Sequence, residues 1–233
     1  MINKYYKILT FIVITAVIIA GIILPLADII HDKPEDIDIG AFKTAADFRS
    51  IFFHVPQAWL AVLSFMISML YSVKYLRNNN FIFDIKASSA AQIGFIFCIL
   101  ATITGSLWAK FRWNAFWNWD PRETSIFILL LVYGAYFSLR SAIENEEKKA
   151  KLSSVYSIIS FITVPFFIFV MPRIVYSNHP KDTVINSQGK INMDTTYLLI
   201  FISSLIGFTL LFFWIYNIKT RFEILKYKKL NKY

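Results

Sequence analysis

Six long apolar stretches alternate with short polar segments along this chain, at about residues 8–30, 50–75, 87–108, 122–140, 152–172 and 195–218. Each is long enough for a helix to cross the roughly 30 Å hydrocarbon core of a bilayer, which takes about 20 residues. None shows the two-residue alternation of a barrel strand. A backbone in hydrocarbon must satisfy its own hydrogen bonds, so the stretches predict helices. The expected fold is all-α: a polytopic integral membrane protein with about six transmembrane helices. Residues 1–233 are expected to form a single membrane domain without internal repeats.

Local signals set the ends of these elements. Lys4 and Lys7 precede the first stretch. That stretch is long for a signal-peptide core and lacks a small-x-small cleavage site, which predicts an uncleaved helix. Pro25 and Asp28 predict fraying or a kink near its far end. Residues 31–49 are acidic and irregular in pattern. His54, Pro56 and Trp59 fall in the first turns of the second stretch, and a basic, Asn-rich turn follows it. The third stretch carries Thr102, Thr104, Gly105 and Ser106 towards its end. Asp120-Pro121-Arg122-Glu123 then reads as a helix start, with Asp at the N-cap, Pro at N1 and Glu at N3 in a capping-box arrangement.

Composition agrees with the pattern. Of 233 residues, 57% are hydrophobic and 18% aromatic, and the mean hydropathy is +0.54. A soluble domain of this length would not be so apolar. The net charge of +9 raises nucleic acid as a partner, but its distribution favours orientation in a lipid bilayer. With the N-terminus inside, inner segments hold fifteen Lys and Arg and outer segments nine. That bias predicts N-in, C-in. Residues 108–124 and 173–194 then become outer loops, the second with a turn at Gly189, and His31, His54 and His179 all lie on the outer side. The single cysteine, Cys98, falls mid-span, where it reads as a small core residue.

The densest chemistry is the outer loop Trp108–Thr124, WAKFRWNAFWNWDPRET. Trp108, Trp113, Trp117 and Trp119 are four of the chain's six tryptophans. An aromatic belt accounts for one or two at a helix end, not four within twelve residues. Indoles so gathered offer a shelf for a flat π-system. Lys110, Arg112, Arg122 and, in the other loop, Arg173 supply cations for carboxylates. A planar, greasy, anionic ligand fits this inventory, and haem is the first candidate. Iron porphyrin takes two axial imidazoles. His54 and His179 are the candidate ligands, whereas His31 reads as solvated.

The segment Trp113-Asn114-Ala115-Phe116-Trp117-Asn118-Trp119-Asp120 resembles the W-G-x-x-W-x-W-D "WWD" signature of the haem-handling family of cytochrome c assembly. Length, six spans, His-Val-Pro at the start of the second span and a histidine in the last outer loop look most like the CcmC branch. Two positions depart from the pattern: Asn114 replaces the glycine, and Phe116 stands where another tryptophan is common. The resemblance covers essentially the whole chain. It implies haem b held by His54 and His179 against Trp108, Trp113, Trp117 and Trp119, with Asp120 and Arg122 in the site. It also implies delivery to a periplasmic haem chaperone, CcmE, beside the ABC pair CcmA and CcmB and a small subunit, CcmD, in the bacterial inner membrane. With no GxxxxGK[ST] in the chain, ATP work falls to a partner.

Three other functions are open to this sequence. The wording WDPRET is close to that of CcsA-like cytochrome c synthases, which attach haem to apocytochrome c, although those are usually larger. A membrane cytochrome b buries His pairs within spans, and spans three to six hold no histidine. A scaffold whose outer loop binds only protein is the remaining alternative.

Overall fold

The computed structural model describes residues 2–23, 45–179, 193 and 195–230, with only the backbone for 45–48. The helices are α1 (Lys4–Ile23), α2 (Ala45–Asn78), α3 (Phe81–Trp113), α4 (Pro121–Ala142), α5 (Glu146–Pro165), α6 (Met171–Ile174) and α7 (Thr195–Leu230). A π-helical turn, Phe166–Val170, joins α5 to α6. Six helical segments are long and apolar enough to cross a membrane, α5 to α6 counting as one. Pro25, Asp28, His31 and Gly189 lie outside the described residues.

Several helices run past the apolar stretches that mark them. The chain is already helical at Ala45, and α7 continues to Leu230. The hydrophobic pattern marks only the lipid-facing length. Without Gly or Pro the helix carries on, and Lys219 and Glu223 support the extension as an i,i+4 pair at 3.6 Å. True ends coincide with caps. Asn80 accepts from the Ile82 N–H at 2.9 Å and Asn145 from the Lys148 N–H at 2.9 Å.

α2 is the central element. It packs along α3 for most of its length and also against α5 and α7, while α1 rests mainly on α7. Gly94 allows the close approach of α3 to α2, since a Cβ there would lie 2.8 Å from the Phe65 ring. The main core gathers Leu60, Phe65, Phe97, Cys98, Leu129, Tyr133 and Phe212. Within it the Phe65 and Tyr133 rings stack 3.5 Å apart.

Pro56 sits inside α2 and is fully buried. Proline has no N–H, so the carbonyl four residues earlier, on Phe52, loses its helical donor. The Ser204 hydroxyl of α7 donates to that carbonyl instead. Membrane helices tolerate proline where a neighbour re-satisfies the backbone in this way. Ser204→Ala should therefore destabilise the fold by about 1–2 kcal/mol, between the ~0.6 average for interhelical bonds and the cost of a buried orphan acceptor. Restoring the helix donor with Pro56→Ala should shrink that cost. A double-mutant cycle on detergent unfolding checks the coupling, and additive effects would disprove it.

Proline acts again at the end of α5. Pro165 precedes the π turn, in which the Met171 N–H reaches back five residues to the Phe166 carbonyl. The widened turn brings Phe167, Ile168 and Phe169 to the wall of one cavity. Such turns recur at functional sites.

Candidate functional site

The Trp-rich loop joins the outer ends of α3 and α4, and each of its bends has a local cause. α3 stops because Asn114 takes a left-handed conformation, φ 58°. Asn and Gly are the residues that close helices this way, so the departure from glycine at this position keeps the turn. α4 starts at the capping box expected from the sequence. Asp120 accepts from the Arg122 N–H at 3.0 Å, and Glu123 accepts from the Asp120 N–H at 3.3 Å. Glu123 also accepts from the Asn118 N–H at 2.9 Å, which folds the loop back on its own helix.

Asp120 is more than a cap. It is 3% exposed, and its carboxylate accepts from the Ser177 hydroxyl at 3.0 Å, the Asn178 N–H at 2.7 Å and His179 Nδ1 at 2.9 Å. One carboxylate thus ties the Trp-rich loop to the segment after α6. Burial pushes the Asp120 carboxyl up, but the bonds from His179, Arg122 and Asn178 outweigh it and hold the group down at about 2. It is therefore ionised at neutral pH and can only accept.

His179 is also gripped by indoles. Its ring lies 5.2 Å from Trp108 in a stacked arrangement and 5.0 Å from Trp113 edge-on. His54 is carried by α2. Its Nδ1 is 3.0 Å from the Thr104 hydroxyl of α3. That hydroxyl gives its proton to the Leu100 carbonyl at 2.8 Å, so it accepts from the imidazole. With Nδ1–H given to these acceptors, a neutral imidazole at either position keeps the Nε2 lone pair, the form in which imidazole binds a metal.

Both imidazoles line one cavity of about 790 Å³. Trp108, Trp117, Arg122 and Arg173 line it too, with apolar surface from Phe167 to Phe169 and from Leu205, Ile206 and Leu210 of α7. This volume suits a large cofactor-sized ligand. The remaining site residues named from the sequence lie elsewhere. Trp113 braces His179 and Trp108 from behind. Trp119 is 68% exposed and meets Trp117 and Phe127 edge-on. Lys110 is occupied by Asn114, at 3.0 Å to its side-chain oxygen, and by the Phe116 ring. The four tryptophans therefore split into two that face the cavity and two that support them. Thr104, Gly105 and Ser177 are site residues that sequence pattern does not reveal, because no periodicity marks them. Glu123, read from the sequence only as a cap, also reaches the cavity, and its Oε1 has no hydrogen-bond partner among the described residues.

Fold and site together define a six-span helical membrane protein with a two-histidine, aromatic cavity assembled from α2, α3, α4, α7 and the segment after α6. Residues 3–232 match the family model for heme exporter protein C, and the chain belongs to that family. It is 30% identical over 185 residues to heme exporter protein C of Bradyrhizobium diazoefficiens, covering 79% of this chain and 70% of the relative. It is 30% identical over 191 residues to the Paracoccus denitrificans protein of the same name, covering 82% and 77%. The Escherichia coli heme exporter protein C matches at 27% over 132 residues, covering 53% and 51%.

Proposed function

We propose that this protein holds haem b as cargo at the outer face of the bacterial inner membrane and passes it to a haem chaperone of the CcmE kind during cytochrome c maturation. One observation carries the reading: His54 of α2 and His179 after α6 line the same cavity, each with its Nδ1 at a protein hydrogen-bond partner. Haem iron takes two axial imidazoles. Trp108 and Trp117 offer faces to the porphyrin, and Arg122 and Arg173 offer charge and N–H groups to its propionates. Heme handling is also what the names of the relatives state. In this reading the chain sits N-in, C-in as a single membrane domain, with the loop 108–124 and the segment 173–194 in the periplasm. It works beside the ABC pair CcmA and CcmB and the small subunit CcmD. This chain's own part is to bind, orient and release.

The test is an absorption spectrum of detergent-purified protein from haem-producing cells, beside the His54→Ala, His179→Ala double variant. Wild type should show six-coordinate haem, and the double variant should lose it while keeping its helical content. An unchanged spectrum in the double variant would sink the assignment of these ligands.

A further inference from the structure

The two imidazoles are backed by acceptors of different charge. We infer that this makes them unequal iron ligands: His179 is the strong, retained ligand, and His54 is the one that opens when the cargo leaves. The inference rests on the reading of both as axial ligands.

The asymmetry begins in the second atom out. His179 Nδ1–H donates to Asp120 Oδ1 at 2.9 Å. That carboxylate has nothing to donate, and its other partners, Ser177, Asn178 and Arg122, are donors as well. A bond to an anion draws the Nδ1 proton away from the ring and makes Nε2 a better electron donor, as in carboxylate–histidine–metal arrangements. His54 Nδ1–H meets the Thr104 hydroxyl at 3.0 Å. That acceptor is neutral, and hydrogen bonds to neutral groups are roughly half as strong as those to ions.

Packing acts in the same direction. The His179 ring is fixed between Trp108 and Trp113, 5.2 and 5.0 Å away. One edge of the His54 ring faces the bare backbone of Gly105, where no side chain holds it. One ligand is clamped between indoles and electron-rich, and the other is weakly backed, with only backbone against that edge. At release an incoming lone-pair donor replaces His54 Nε2 on iron. One coordinate bond breaks and one forms, with no electron or proton transferred, while His179 keeps the iron in place.

The experiment measures haem loss to excess apomyoglobin from the full-length protein in lipid nanodiscs. His179→Ala should lose haem at least ~10-fold faster than His54→Ala. Asp120→Asn is the charge-only change, because Asn caps a helix as well as Asp does. It should weaken haem retention ~10–100-fold and raise the midpoint potential of the bound haem, since ferric iron depends more on a strong donor. Thr104→Val should move both less. Added imidazole should restore the six-coordinate spectrum to His54→Gly, which checks that the site is otherwise intact. If His54→Ala and His179→Ala lose haem equally fast, or if Asp120→Asn leaves the potential where it was, the inequality of the ligands is overturned. If the double His variant keeps the wild-type spectrum, the underlying ligation fails instead.

Discussion

Asp84→Ala should destabilise the folded protein by about 3–5 kcal/mol, the cost of leaving one partner of a buried ion pair uncompensated. Asp84, in the first turn of α3, is 7% exposed. It receives both arms of the Arg140 guanidinium, at 2.7 and 2.8 Å. Two parallel N–H···O bonds to one carboxylate form the strongest geometry such a pair can take. Each charge also sits at the favourable end of its own helix dipole, Asp84 near the start of α3 and Arg140 near the end of α4. Removing the carboxylate leaves Arg140 with the Tyr136 face, 5.9 Å from its guanidinium carbon, which compensates only part of a full charge. A double replacement, Asp84→Leu with Arg140→Met, should recover much of the loss, because neither charge is then stranded. Stability against denaturant in mild detergent gives the readout. The haem spectrum of the fraction that stays folded should not change. At 1.5 Å of rise per residue, Asp84 lies about 36 Å along α3 from Trp108, at the far end from the site. A single variant no less stable than wild type would show the pair to be ornamental.

What the sequence could reveal follows from the range of each interaction. The six spans and the start of α4 were legible because hydropathy and capping are local. Asp120, Pro121 and Glu123 stand within four residues of one another, and their geometry is dictated by that spacing. The bond from His179 to Asp120 joins residues 59 apart, and that from His54 to Thr104 residues 50 apart. Nothing in either neighbourhood announces its partner. The tryptophans show the limit clearly. Their crowding marked the loop as special, but only the fold decides that Trp108 and Trp117 face the cavity while Trp113 and Trp119 do not. The π turn after Pro165 escaped for a related reason. The proline predicts a break in the helix, whereas the direction in which the freed turn aims Phe167 to Phe169 depends on its neighbours.

Gly105→Ala should reduce haem affinity by ~10–100-fold, as if the support of an iron ligand had been removed. On helix propensity alone the change should be favourable by up to about 1 kcal/mol, because alanine loses less backbone freedom than glycine. Gly134 allows that expectation to be isolated. A Cβ there meets nothing within 4 Å, so Gly134→Ala should show the gain in stability and leave haem binding untouched. At Gly105 the new Cβ would stand 2.9 Å from His54 Cε1, closer than carbon atoms tolerate, and 3.5 Å from Nδ1. The obstacle is a ring attached near the helix axis, not the tip of a flexible chain. It can yield only by turning, and turning it breaks the 3.0 Å contact with Thr104 and moves Nε2 from where the proposed ligation needs it. The two substitutions are chemically identical and lie on adjacent spans, so their difference isolates the position of His54. Haem titration of the apoproteins, with thermal unfolding alongside, should give one variant that is more stable and fully competent. The other should be folded and weak. If Gly105→Ala binds haem as tightly as Gly134→Ala, the ring of His54 is not where the ligand needs it, and His179 holds the iron alone.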